Sequence, residues 1–152
     1  MRWIYKKGHF FLKQTANMIV DQHNGIVPNQ FHELIQFPGV GPKVALVTLE
    51  YAFGLIRGIP MDVHMMRIFK RLEWISSSNR EHARLQIQAW LPHSFWSDMN
   101  ITYAGLGQLL RQIESRKYVI DVATTLGEDV LTIVTSLAKD YTRKVTSKKK
   151  KE

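Results

Sequence analysis

The chain has 152 residues, 45% of them hydrophobic and 22% charged, with a net charge of +8 and no cysteine. That is one average domain or two small lobes, long enough to bury a core and ordinary in composition for a globular protein. Disulfides, thiolate zinc sites and cysteine-ligated iron–sulfur clusters are excluded, and no apolar run approaches the roughly 20 residues that span a bilayer.

In chain order, Phe11, Met18 and Ile19, with Thr15 between them, share one helical face from about His9 to His23, and Asn24-Gly25 stops that helix. Residues 1–20 are basic and aromatic without acids, a composition shared with transit peptides; the folded reading is preferred, because the resemblance given below begins within them. Val27-Pro28-Asn29 forms a turn, and Asn29 is the expected cap of a short helix from Gln30 to Gln36. Next comes Phe37-Pro38-Gly39-Val40-Gly41-Pro42-Lys43. Two glycines one residue apart allow a sharp turn and the close approach of a partner to the backbone. Pro42 suits the first position of a helix, where a missing N–H costs nothing. The pattern predicts helix, glycine hairpin, helix, the second helix running from Pro42 to Phe53 and apolar enough to be buried on most sides. Free N–H groups and the positive end of a macrodipole suit a phosphate oxygen, so Gly39, Val40 and Gly41 are candidate phosphate-binding residues. The same turn also occurs as a purely structural one.

Gly54 and Gly58-Ile59-Pro60 connect to a helix that begins at Asp62, with Met65, Met66, Ile68, Phe69 and Leu72 at its apolar positions. An aspartate at a helix start caps backbone N–H groups, and the same bonds keep a carboxylate ionised and fixed in direction, so capping and catalysis are compatible. Ser76-Ser77-Ser78-Asn79 is a polar linker ending in a cap, followed by a helix from Arg80 to Leu91 that Pro92 closes. A longer helix from Ser94 to Ile113 puts Phe95, Met99, Thr102, Leu106 and Leu110 near one face. Its Gly105 and Gly107 point to close approach of another backbone. Helices from Tyr118 to Leu126 and from Glu128 to Ala138 hinge at Gly127. No strand pattern or repeat is found, and the six histidines lack metal-ligand spacing.

Seven Lys/Arg and two Asp/Glu lie between Lys139 and Glu152, so the tail carries +5 and the body only +3. The excess favours an anionic partner, yet charge in the body alone does not establish specific DNA binding. Ser147 to Lys151 has no apolar anchor and reads as a disordered tail, adding non-specific phosphate attraction and a nuclear-import signal.

Leu12-Lys13-Gln14-Thr15, Gln22-His23-Asn24-Gly25, Phe37 to Lys43, Met61-Asp62-Val63-His64, Arg71-Leu72-Glu73-Trp74, Trp90-Leu91-Pro92 and Gly105-Leu106-Gly107-Gln108 follow one another in this order. Across residues 3 to 110 they resemble the endonuclease III family of helix-hairpin-helix DNA glycosylases. The last two segments are most similar to its eukaryotic branch, whereas Val63-His64-Met65 is similar to the 8-oxoguanine glycosylase branch.

The resemblance implies an all-α fold. A partial helical barrel with the helix-hairpin-helix spans 1–61, a second helical lobe replacing the iron–sulfur region spans 62–138, and a basic disordered tail spans 139–152, with the DNA groove between the lobes. It implies a bifunctional DNA N-glycosylase/AP lyase that removes oxidised pyrimidines from duplex DNA and cuts at abasic sites. Lys43 would be the nucleophile and Asp62 its partner, stabilising positive charge on the sugar and assisting proton transfers. The chemistry agrees: an amine attacks a sugar C1′ only when neutral, and a helix N-terminus and partial burial both disfavour the ammonium form. A solvated or phosphate-binding Lys43 is the alternative. Monofunctional adenine-excising relatives lack this lysine, so Lys43 argues for the lyase branch. Gly39, Val40 and Gly41 would hold a phosphate, fixing register without reading sequence, and damage would be recognised by base flipping.

Two departures from the family pattern stand out. Arg111 occupies the position of the first cluster cysteine and none follow, so no iron–sulfur cluster and no other cofactor is expected, with residues 116–140 as a helical replacement. The chain also begins near the middle of the family's barrel, after the segment that supplies part of the base pocket. The expectation is a truncated member, in which AP lyase activity survives better than base excision. Rival readings are a non-enzymatic or degenerate helix-hairpin-helix DNA-binding module, an 8-oxoguanine-type glycosylase and a helical scaffold. Expected partners are damaged or abasic duplex DNA and no membrane, for a monomer in the nucleus, with the mitochondrion as the alternative.

Overall fold

Helical periodicity without a strand pattern yields helices and connections alone among the residues described by the computed structural model, 2–148, with side chains from 8 to 141. The helices are α1 (Arg2–His23), α2 (Phe31–Leu34), α3 (Pro42–Phe53), α4 (Val63–Arg71), α5 (Arg80–Gln88), α6 (Trp96–Met99), α7 (Gly105–Arg111), α8 (Ile113–Leu126) and α9 (Glu128–Lys148). A 3-10 turn, His93–Phe95, precedes α6, and a π-helical turn, Asn100–Ala104, joins α6 to α7. The chain divides between Pro60 and Met61 into two compact units.

In the first unit Leu34, Phe37, Ala45 and Leu49 form a buried core, with Met18, Ile19, Phe31, Val40, Phe53 and Leu55 packed against it. Burying such side chains contributes roughly 1.5–3 kcal/mol each, which holds the hairpin between the helices before and after it. Helix α1 ends as its sequence dictates, in Asn24 (φ 53°) and Gly25 (φ 77°), with the Gly25 N–H donating to Ile19 O at 2.9 Å. At α3 the chain closes through Gly54 (φ 66°), whose N–H reaches Glu50 O at 3.0 Å while the Leu55 N–H reaches Leu49 O at 2.9 Å. Two expectations fail here. Gln30, not Asn29, stands at the N-cap of α2 with no side-chain cap bond, and the helix shrinks to one turn, Phe31–Leu34. Helix α3 is less buried than its apolar composition implies, because Val44 and Tyr51 are exposed.

In the second unit the wholly buried Met65, Ile68, Phe69, Ile87, Leu110 and Leu137 form the centre. Phe69 meets Trp74 at 5.5 Å and Tyr103 edge-on at 5.0 Å, and Trp90 meets Trp74 edge-on at 5.5 Å, the geometry that ring quadrupoles favour. Asn79 caps α5 as expected, accepting from the N–H groups of Glu81 (2.9 Å) and His82 (3.1 Å). Helix α5 stops at Gln88, short of the expected Leu91. The long helix expected from Ser94 to Ile113 is subdivided by the 3-10 and π turns and breaks at Gln112 (φ −85°, ψ 133°), so α8 starts at Ile113 rather than Tyr118. Arg116 explains that break: its buried Nε donates to Leu110 O at 2.7 Å and its Nη2 to Arg111 O at 3.3 Å, satisfying carbonyls at the end of α7.

Gly127 (φ 113°) is the joint between α8 and α9, as expected. Helix α9 runs on through 139–148, residues that the sequence assigns to a disordered tail; residues 149–152 lie outside the described residues. Specific bonds account for the start of this continuation. Asp140 accepts from Arg71 Nη2 at 2.6 Å and from Arg71 Nε at 3.2 Å, joining α9 to α4. Such a two-point guanidinium–carboxylate contact is more directional than a lysine pair.

Candidate functional site

The two hairpin glycines do different things. Gly39 has φ +81°, a backbone region where a side chain is strained, and a Cβ there would meet Phe11 Cδ2 at 3.0 Å. Phe37 is buried and meets His23 edge-on at 5.5 Å, and Thr15 Oγ1 donates to Pro38 O at 3.4 Å, so α1 fixes the turn from beneath. Gly41 has φ −98° and ψ 178°, extended backbone that any residue adopts, and a Cβ there would meet nothing within 4 Å. The protein's own packing therefore accounts for Gly39 and not for Gly41. The Val40 N–H donates to Phe37 O at 3.0 Å and closes the turn.

Lys43 stands in the first turn of α3 behind Pro42, as expected. Its side chain is exposed, so the partial burial expected from the sequence is absent.

Asp62 opens the second unit. It is extended (φ −117°, ψ −178°), and its Oδ1 accepts from the N–H groups of His64 and Met65, both at 2.8 Å, at the start of α4. One oxygen held by two backbone donors leaves the carboxylate little freedom, and the group is 7% exposed. The His64 ring, in turn, stacks on Tyr141 of α9, with Nδ1 and the phenol oxygen 3.0 Å apart. Arg67 places its guanidinium 4.2 Å from the centre of the Tyr141 ring. Burial pushes the Tyr141 phenol above its ordinary value; the Arg67 cation opposes this, while Asp62 and Asp140 add to it. Of the two glycines expected to admit another backbone, Gly107 instead lies against the side chains of His64 and Tyr141, while Gly105 has nothing within 4 Å of a Cβ.

The structure thus brings the hairpin glycines and Lys43 together in the first unit and sets Asp62 at the head of the second. Sequence reasoning overlooked Tyr141 and a cleft of about 360 Å³ lined by Val63, Met66, Arg67, Lys70, Ser78 and Arg80. Arg67 and Lys70, three apart on one helix, were the available signal; nothing local announces that Arg80 or Tyr141 joins them. Among the described residues no group of three His, Asp or Glu could hold a metal ion. The residues of this chain do not fit an iron–sulfur cluster, since it has no cysteine to offer as thiolate.

No family profile matches the chain. It is 39% identical over 109 residues to endonuclease III homolog 2 of Saccharomyces cerevisiae, covering 70% of this chain and 29% of that protein. It is 35% identical over 100 residues to endonuclease III-like protein 1 of Gallus gallus, covering 64% of this chain and 36% of that protein. A trapped endonuclease III–DNA covalent intermediate, an estranged-adenine complex, superimposes with a TM-score of 0.60 at 30% identity, over 63% of this chain and 45% of that one. A non-covalent endonuclease III–DNA complex gives the same values. The resemblance read from the motifs is thus found in sequence and in fold, and the chain spans about a third of the length of these curated relatives.

Proposed function

We propose that this chain, alike to endonuclease III in sequence and fold, acts in base excision repair as a DNA glycosylase/AP lyase, using Lys43 and Asp62 on oxidised pyrimidines in duplex DNA. The observation that carries the reading is the Asp62 carboxylate, held by two N–H bonds of 2.8 Å at the start of α4. A fixed carboxylate of this kind can steady a developing sugar cation without reorganising. The neutral Lys43 amine attacks C1′, and the C1′–N bond breaks with its electron pair leaving on the base. Ring opening and loss of a proton from the amine give the Schiff base. Removal of a C2′ proton then expels the 3′ phosphate by β-elimination, and water releases Lys43. Because Lys43 is exposed, the bound duplex itself excludes water from the amine. Gly41, whose bare Cα faces open space, lets a backbone phosphate approach the start of α3. The nucleus is the proposed compartment.

Borohydride reduction on an abasic duplex tests this reading. A covalent adduct that disappears in Lys43→Gln is the expected result. The exposed Lys43 also fits a second reading, a DNA-binding module without catalysis, and wild-type binding without an adduct would establish that instead. Duplexes carrying thymine glycol or 8-oxoguanine separate the two lesion classes, with thymine glycol expected to be the substrate.

A further inference from the structure

Three cationic residues, Arg67, Lys70 and Arg80, line one cleft, with Ser78, Val63 and Met66 completing it. Arg67 and Lys70 share a face of α4 because residues three apart on a helix are neighbours. Arg80 comes from the first turn of α5, across the linker 76–79. Among the described residues no carboxylate lines the cleft. The nearby Arg71, by contrast, is committed to Asp140. Like charges on walls that no carboxylate lines repel one another, and an anion between them relieves that repulsion, while the neighbouring Asp62 carboxylate is engaged by the His64 and Met65 N–H groups.

The cations are also held in place. Lys70 Nζ donates to Ser78 Oγ at 2.7 Å, which uses one of three ammonium donors and aligns the group with the cleft wall. Arg67 is braced over the Tyr141 ring at 4.2 Å. Val63, the residue after Asp62, belongs to the same wall, so an anion seated here lies beside the helix start that carries the candidate catalytic carboxylate.

We propose that this cleft seats a backbone phosphodiester of duplex DNA, as a second anchor separate from the glycine hairpin. The choice of DNA as the source of the phosphate rests on the proposed function; the charge argument for an anion does not.

Salt-dependent binding to an undamaged fluorescent duplex tests it, using the full chain, the double variant Lys70→Gln/Arg80→Gln and the charge-reversed Lys70→Glu. Neutralising one phosphate contact lowers the slope of log K against log salt by roughly one. The expected result is a slope shallower by about that amount in the double variant, a larger loss of affinity in Lys70→Glu, and helical circular dichroism like that of the wild type. Wild-type slopes in both variants would overturn the proposal. So would unaltered slopes accompanied by loss of inorganic phosphate binding in a phosphorus NMR titration, which would mark a free-anion site. Wild-type borohydride trapping, run in parallel, keeps the two readings apart: trapping with unchanged slopes removes only the cleft, and shallower slopes without trapping remove only the lyase.

Discussion

The rings of His64 and Tyr141 lie 7° from parallel, with Nδ1 and the phenol oxygen 3.0 Å apart. His64 also donates its backbone N–H to Asp62 Oδ1, so one residue joins the candidate catalytic carboxylate to the last described turns of α9. The contact depends on Gly107 of α7, where a Cβ would overlap His64 Cβ and lie 2.7 Å from the Tyr141 oxygen.

Gly107→Ala is therefore expected to destabilise the protein. Alanine gains up to about 1 kcal/mol of helix propensity over glycine. Overpacking costs about 1–3 kcal/mol, and the overlap is with a Cβ, which cannot rotate away. Strain prevails, and denaturant titration should show a lower midpoint. A midpoint at or above wild type would mean that α7 shifts away at no cost.

Tyr141→Phe keeps the ring beneath Arg67 and removes the phenol bond, at about 0.5–1.5 kcal/mol below pH 9. The phenol is raised mainly by burial, so the folded state holds its proton longer than the unfolded one. That contribution is intact below the unfolded value near 10 and is lost as pH rises through the folded value. The stability gap between wild type and Tyr141→Phe should accordingly narrow above pH 10 in thermal melts; a gap that widens there contradicts the assignment.

The helix boundaries legible in the sequence are those set by local chemistry. Asp62 and Asn79 cap because a short side-chain acceptor reaches N–H groups two and three residues on, and Gly54 and Gly127 end helices because φ is positive there. Contacts beyond the reach of a cap were not legible. Arg116 ends α7 by bonding carbonyls several residues back, and Tyr141 orders a stretch whose lysines read as tail. The proposed pair, Lys43 and Asp62, could be nominated only through its motif, and periodicity overstated how much of α3 is buried, since Val44 and Tyr51 are exposed.

The hairpin glycines should respond oppositely to alanine. At Gly39 the left-handed backbone costs about 1–2 kcal/mol and the Phe11 contact adds to it, so Gly39→Ala should lower stability. Gly41 is extended and open, so Gly41→Ala should leave folding unchanged or raise stability by about 0.4–1 kcal/mol. If Gly41 admits a phosphate, that same variant should bind duplex DNA more weakly. Melting curves and fluorescence anisotropy on the two variants give both readouts, and unaltered affinity in Gly41→Ala would leave the hairpin a purely structural turn.

One substitution separates the helix cap that Asp62 forms from the catalytic role proposed for it. Asparagine caps helices about as well as aspartate, because its amide oxygen accepts from the same N–H groups, but it carries no charge and takes no proton at neutral pH. Asp62→Asn should therefore melt close to wild type while losing about 10²–10⁴-fold in the rate of base release, the usual worth of a positioned acid–base group. Asp62→Ala should lose the rate as well and, in addition, about 1 kcal/mol of stability from the vacated His64 and Met65 N–H groups. Single-turnover kinetics on a lesion duplex, beside thermal melts of both variants, distinguishes the cases. An Asp62→Asn variant that melts normally and reacts at the wild-type rate would reduce Asp62 to a helix cap.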